Sequence, residues 1–119
     1  YTETVYLNFD AEKSAGAIFS GDITPQTNIE GLEIISGKKI LPETTLIILD
    51  EIQEVPRALS SLKYFAEDAP EYHIICAGSL LGVALHEGTS FPVGKVSFLD
   101  LYPLSFAEFI HASFFVKLR

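Results

Sequence analysis

The 119 residues are 48% hydrophobic, 12% aromatic and 20% charged, the content of one folded unit over 1–119 and not of a disordered tract. Eight Lys and Arg against sixteen Asp and Glu leave a net charge of −8, which removes any general attraction for nucleic-acid backbones or anionic lipid. One cysteine excludes a disulfide framework and a Cys-based zinc site, and no apolar run approaches the ~18 residues of a membrane span.

The chain opens on Tyr1 and contains no methionine, which reads as a piece of something longer or a processed product. Its first nine residues are too polar for a secretory signal, so a cytoplasmic setting is the default. Thr4 to Phe9 is β-branched and aromatic and predicts a first strand ending at Asp10. Thr24-Pro25 then sets a capping residue before a helical proline; Ile29, Leu32 and Ile35 form a stripe, and Gly37 closes the helix. Thr45 to Leu49 is a continuous apolar run, as in strands buried on both faces.

A second helix runs from Pro56 to Asp68 with Leu59, Leu62 and Phe65 inward, and Pro70 stops it. Tyr72 to Ala77 predicts a third strand, broken by Gly78. Ser79 to His86 reads as a short helix closed by Gly88, and Lys95 to Tyr102 as a fourth strand. Ser105 and Glu108 form a capping box, with Leu104 and Phe109 spaced as a hydrophobic staple, so a last helix starts at Ser105. Its Phe106, Phe109, Phe114 and Phe115 are expected to pack against the sheet or against parts outside the chain.

Strands alternating with helices predict an α/β fold, a mostly parallel sheet covered on both faces. Ligands of such sheets sit at the carboxyl ends of the strands. That rule selects Asp10, Asp50 with Glu51, Gly78 with Ser79, and the Tyr102-Pro103 turn.

The strongest signal is Leu46-Ile47-Ile48-Leu49-Asp50-Glu51, four apolar residues and then two acids. A carboxylate at the rigid end of a buried strand suits a magnesium ion on nucleotide phosphates, and a second one suits the orientation and deprotonation of an attacking water. The plain alternative is that acids follow a buried strand because the chain returns to water. Further on come Ile52-Gln53, then Ala77-Gly78-Ser79-Leu80-Leu81, then Leu101-Tyr102-Pro103-Leu104-Ser105-Phe106-Ala107-Glu108-Phe109.

Together these segments closely resemble prokaryotic AAA+-type P-loop ATPases with a DEIQ acidic motif, which often carry a C-terminal domain of unknown function. The resemblance covers essentially the whole chain. It implies ATP and Mg2+ as cofactors of the parent protein, Asp50 as the magnesium-associated acid and Glu51 as the water-polarising base. It also implies Ser79 as a sensor of the γ-phosphate, a position that a plain helix cap explains equally well. Gln53 bridges the acidic pair to a neighbouring loop or merely bonds at the start of a helix. Lys95 stands where relatives often have Arg; a lysine clamps phosphate less well, and a solvated role is favoured.

No G-x-x-x-x-G-K-[ST] run occurs between Tyr1 and Arg119. The resemblance places that loop upstream and makes Thr4–Phe9 the parent's second strand. The expectation is a partial P-loop NTPase core lacking the first strand and phosphate loop, which does not hydrolyse ATP by itself. In the implied strand order 5-1-4-3-2 the missing strand leaves a slot. It is expected to close by pairing of the fifth strand with the fourth, or to fill by self-association through exposed sheet edges.

Two rivals come from other classes. A receiver-type phosphoacceptor domain would use Asp50, Ser79, Lys95 and Asp10, but Lys95 precedes its strand and no second acid adjoins Asp10. A non-enzymatic interaction module from a truncated ATPase is the other. His73, His86 and His111 have no ligand spacing, and Cys76 reads as a packing residue.

Overall fold

Three parallel strands make the sheet: β1 (Glu3–Asn8), β2 (Thr45–Asp50) and β3 (His73–Cys76), side by side in chain order. The computed structural model describes residues 1–79 and 94–117, and the body of the helix predicted over Ser79–His86 lies outside them. Val5 pairs with Ile47 and Ile47 with Ile74, so β2 is bonded on both sides. Helices α1 (Pro25–Ser36) and α2 (Pro56–Asp68) make the crossovers that parallel pairing demands. The α/β class and the parallel sheet flanked by helices agree with the sequence.

The helix ends follow local chemistry. Thr24 Oγ1 accepts the Thr27 N–H, Pro25 occupies the first turn, and Gly37 closes α1 at φ 68°. Helix α3 (Phe106–Lys117) opens with a reciprocal box: the Ser105 N–H donates to Glu108 Oε2 at 2.7 Å, and the Glu108 N–H to Ser105 Oγ at 3.3 Å. The stripe of α1 is shifted from the expected one. Asn28, Ile29 and Leu32 are buried, while Ile35 is exposed.

A 3-10 helix over Lys13–Phe19 was not foreseen. It buries Ala15 and Phe19, with the Phe19 ring edge-on to Phe9 at 5.8 Å between centroids. Arg57 of α2 holds its end, donating to the carbonyls of Phe19 at 2.6 Å and Gly21 at 2.5 Å.

The core lies on one side of the sheet. Val5, Leu7 and Phe9 of the β1 segment, with Ile47 and Leu49 of β2, meet Ile29 and Leu32 of α1 and Leu59, Leu62 and Phe65 of α2. On the opposite face Tyr6 is 55% and Ile75 53% exposed, with Leu46 and Ile48 half-buried. The expectation of a sheet covered on both faces is therefore corrected for the described residues. Two crossovers of one hand that advance in one direction across a sheet place both helices on the same side. An apolar β2 does not change that.

Lys95 to Tyr102 is the second correction. It forms a turn and irregular chain, and no strand pairs with the outer edge of β3 among the described residues. Val96 alone packs against the core, and side chains 97–114 are exposed. Leu99 and Leu101 break the alternation that a one-sided strand needs, and a strand gains little without a partner. The fifth strand does not close onto the fourth, and Phe106, Phe109 and Phe114 do not pack on the sheet.

Candidate functional site

Along β2, Thr45, Ile47 and Leu49 point into the core, so Leu46, Ile48 and Asp50 fall on the open face. Asp50 is in register with Asn8, and Tyr6 lies one step back on the same face of β1. Both donors reach the acid: Asp50 Oδ2 accepts the Tyr6 hydroxyl at 2.5 Å and the Asn8 amide at 3.3 Å. Its Oδ1 accepts the Glu51 N–H at 2.9 Å. The carboxylate is thus held by three donors before any ligand is considered.

Strict alternation would send Glu51 into the core. Instead the backbone turns left-handed at Glu51, φ 53° and ψ 43°, and Ile52 takes the core position with no exposure. Glu51 stays outside, where its Oε2 accepts the Gln53 amide at 2.5 Å. Charge from both Asp50 and Glu51 bears on the Tyr6 phenol, so the two acids lie on one flank of the β2 tip. They do not diverge to opposite sides.

The β3 tip is tied to the same turn. The Ala77 N–H donates to the Leu49 carbonyl at 2.9 Å, and the Ala77 carbonyl accepts the Ile52 N–H at 3.1 Å. Ser79, two residues on, is exposed, and no hydrogen bond joins it to either acid. Asp50, Glu51 and Gln53 are one bonded unit with Gly78-Ser79 beside it. The other sequence candidates stand apart. Asp10 pairs with Lys13 at 2.8 Å, and it is Asn8 Oδ1 that caps the turn by accepting the N–H groups of Asp10 and Ala11. Tyr102 and Pro103 sit in the exposed segment beyond Val96. Lys95 pairs at 3.8 Å with Glu67 in the last turn of α2, at the end of the sheet away from the strand tips.

Tyr6 and Asn8 are the site residues that sequence reading missed. Their only signal is alternation on β1, which selects a face but cannot name a partner before the strand pairing is known. The hydrogen bond to Asp50 is the main cause that raises the Tyr6 phenol above its ordinary value; the Asn8 contact opposes it, and the two acids add to it. A raised phenol contributes stability that is complete below about pH 10 and is lost as pH rises through the folded-state value. In an ultraviolet titration one of the five tyrosines is expected to ionise late. Tyr6→Phe should delete that component and Asp50→Asn should return it to the ordinary range; a late component surviving both would refute the assignment.

Among the described residues no group of three or more His, Cys, Asp or Glu side chains is placed to hold a metal ion, and no helix is long and apolar enough to cross a membrane. His73 is bonded to the Tyr1 hydroxyl at 2.8 Å. An open concavity lined by Glu30, Glu33, Ile34 and Lys38 lies at the C-terminal end of α1, at the far end of the sheet from Asp50.

The family model described as AAA domain matches residues 1–110. The chain belongs to the AAA domain family. Its parallel strands, with an acidic pair at the tip of the middle one, suit that membership. This AAA domain is also similar to the mouse protein named tyrosine-protein phosphatase non-receptor type 13, at 29% identity over 104 residues. That match covers 82% of this chain and 4% of the mouse protein's length. No solved structure matches the AAA domain.

Proposed function

We propose that this AAA domain supplies the acidic half of an ATP-hydrolysing site, with Asp50 as the magnesium-associated acid and Glu51 as the base that polarises the attacking water. The observation that carries the reading is the β2 tip: two adjacent acids on one flank, the first anchored by Tyr6 and Asn8 and the second freed by a left-handed turn. Magnesium usually keeps several waters and takes one or two carboxylates beside substrate phosphates. Asp50, already accepting three hydrogen bonds, fits such a contact through a metal-bound water. When bound, the ion neutralises charge on the transferring phosphoryl group.

The protein's own groups do the rest. Glu51 holds a water and takes its proton. Gln53 Oε1 is buried with no protein partner, and it fits a hydrogen donated by that water while its amide steadies Glu51. Ser79, on the neighbouring tip, is the candidate for feeling the γ-phosphate. The phosphate-binding loop belongs to the parent protein, and a cytoplasmic setting goes with the reading. Phosphates beside a −8 chain without that loop are repelled, so the 119 residues alone do not turn over ATP.

Two other readings lose ground. A receiver-type acceptor needs a lysine near Asp50, and Lys95 is paired at the other end of the sheet. A phosphatase activity like that in the mouse protein's name would need an activated nucleophile. Burial pushes the Cys76 thiol, the chain's one cysteine, up to about 12, which leaves almost no thiolate near neutrality.

The test is Glu51→Gln in a protein where a phosphate-binding loop precedes Tyr1. Nucleotide binding should persist while turnover falls roughly 10²–10⁴-fold, the usual size of a lost general base. Unchanged turnover removes Glu51 from the role.

A further inference from the structure

The chain has two large unpartnered apolar surfaces, and they differ in charge. One is the open face of the sheet, where register aligns Tyr6, Ile48 and Ile75 in a single row across all three strands. The other is the arm beyond Val96, which ends in α3. Lys95 pairs with Glu67 and Val96 enters the core, so the arm leaves the body there. Nothing in its own body covers side chains 97–114.

Leu99, Leu101, Tyr102, Phe106, Phe109 and Phe114 are between 58% and 95% exposed. Together they present on the order of 900 Å² of apolar-rich surface. That exceeds the roughly 300–600 Å² of the largest patch on a typical monomer, and it matches the ~800 Å² each partner gives to a standard interface. A helix with Phe106, Phe109, Ile110 and Phe114 all exposed is apolar on several sides, a pattern found in buried helices.

Charge and size indicate the occupant. Residues 1–79 hold five Lys and Arg against thirteen Asp and Glu, a net −8; residues 94–119 hold three against two, a net +1. Body against body is repelled at that charge, whereas arm against body is not. The twelve residues of α3 span about 18 Å, close to the ~20 Å of a six-residue strand.

We propose that the arm of one copy lies across the Tyr6–Ile48–Ile75 row of a second copy, and reciprocally, making a homodimer joined through sheet faces and not sheet edges. Exchange of the same segment between two copies gives a closed two-fold assembly and leaves no open row to build fibres. The proposal is independent of the nucleotide reading, because the row is apolar and the acids lie one register step beyond it.

Light scattering after size exclusion, near 100 µM, should give twice the 13.1 kDa chain mass. The arm variant Leu101→Asp/Phe109→Asp and the face variant Ile75→Asp should each be monomeric with native circular dichroism; Ile75→Thr, which keeps β-branching, serves if Ile75→Asp does not fold. Mixed in equal amounts, the two variants should recover a dimer, since one intact arm still meets one intact face. A monomeric wild type overturns the proposal, whether its arm amides are protected by folding back or exchange freely. So does a dimer that survives the face variant, which would be arm on arm. A mixture that stays monomeric refutes the reciprocal geometry.

Discussion

Ile47→Ala is expected to lower unfolding free energy by about 2–5 kcal/mol, the range for truncating a fully buried aliphatic side chain. Ile47 has no exposure, sits at the middle of the middle strand and is flanked in register by Val5 and Ile74. No neighbour can relax into the gap without moving a strand. Against a total stability of roughly 5–15 kcal/mol for a domain, that loss is large. Ile48→Ala, one residue on, should cost only about 1 kcal/mol in the monomer, because Ile48 is half-buried on the open face. Urea titrations at concentrations low enough to exclude association would measure both. Equal losses would mean that the second face is packed after all.

That contrast marks where sequence reading succeeds and where it stops. Signals that act within one turn of chain were legible. Thr24-Pro25 and Gly37 bound α1, Pro56 opens α2, and Ser105 with Glu108 opens α3, because each cap satisfies backbone groups a few residues away. The acidic pair at a strand tip was legible for a similar reason: four apolar residues specify a buried ribbon and the acids specify its end. The Lys13–Phe19 helix was hidden because small residues such as Ala15 and Gly16 carry no periodic signal, while Phe19 is buried by tertiary contact with Phe9.

Properties that depend on who pairs with whom were not legible. Lys95–Tyr102 has strand-forming residues, but a strand is completed by its neighbour, and none stands beside β3 among the described residues. The apolar run Leu46–Leu49 suggested two covered faces, yet coverage depends on the direction in which the crossovers advance. Tyr6 and Asn8 meet Asp50 only because β1 pairs with β2 in one register; a slip of one residue would send Tyr6 into the core and Leu7 to the acid. Half of the carboxylate's environment is therefore set by a strand more than forty residues earlier in the chain.

Glu51→Val is expected to cost about 2 kcal/mol, whereas Glu51→Gly should leave stability unchanged or raise it by up to about 1 kcal/mol. Left-handed backbone costs an L-residue roughly 1–2 kcal/mol, most for a β-branched side chain and nothing for glycine, whose gain is partly offset by the greater freedom of the unfolded chain. Glu51 is held in that conformation from both sides. Its N–H is bound by Asp50 Oδ1, and the next N–H, of Ile52, is bound by the Ala77 carbonyl while the Ile52 side chain fills the core. The surrounding fold thus imposes a strained conformation on a glutamate where glycine would fit better, which is the pattern expected of a residue kept for its carboxylate. The side chain's one protein partner is the Gln53 amide, so a structural role would rest on that bond alone. If Glu51→Gly destabilises the chain by more than about 1 kcal/mol in urea, the Gln53 contact accounts for the residue and the strain argument for a functional carboxylate fails.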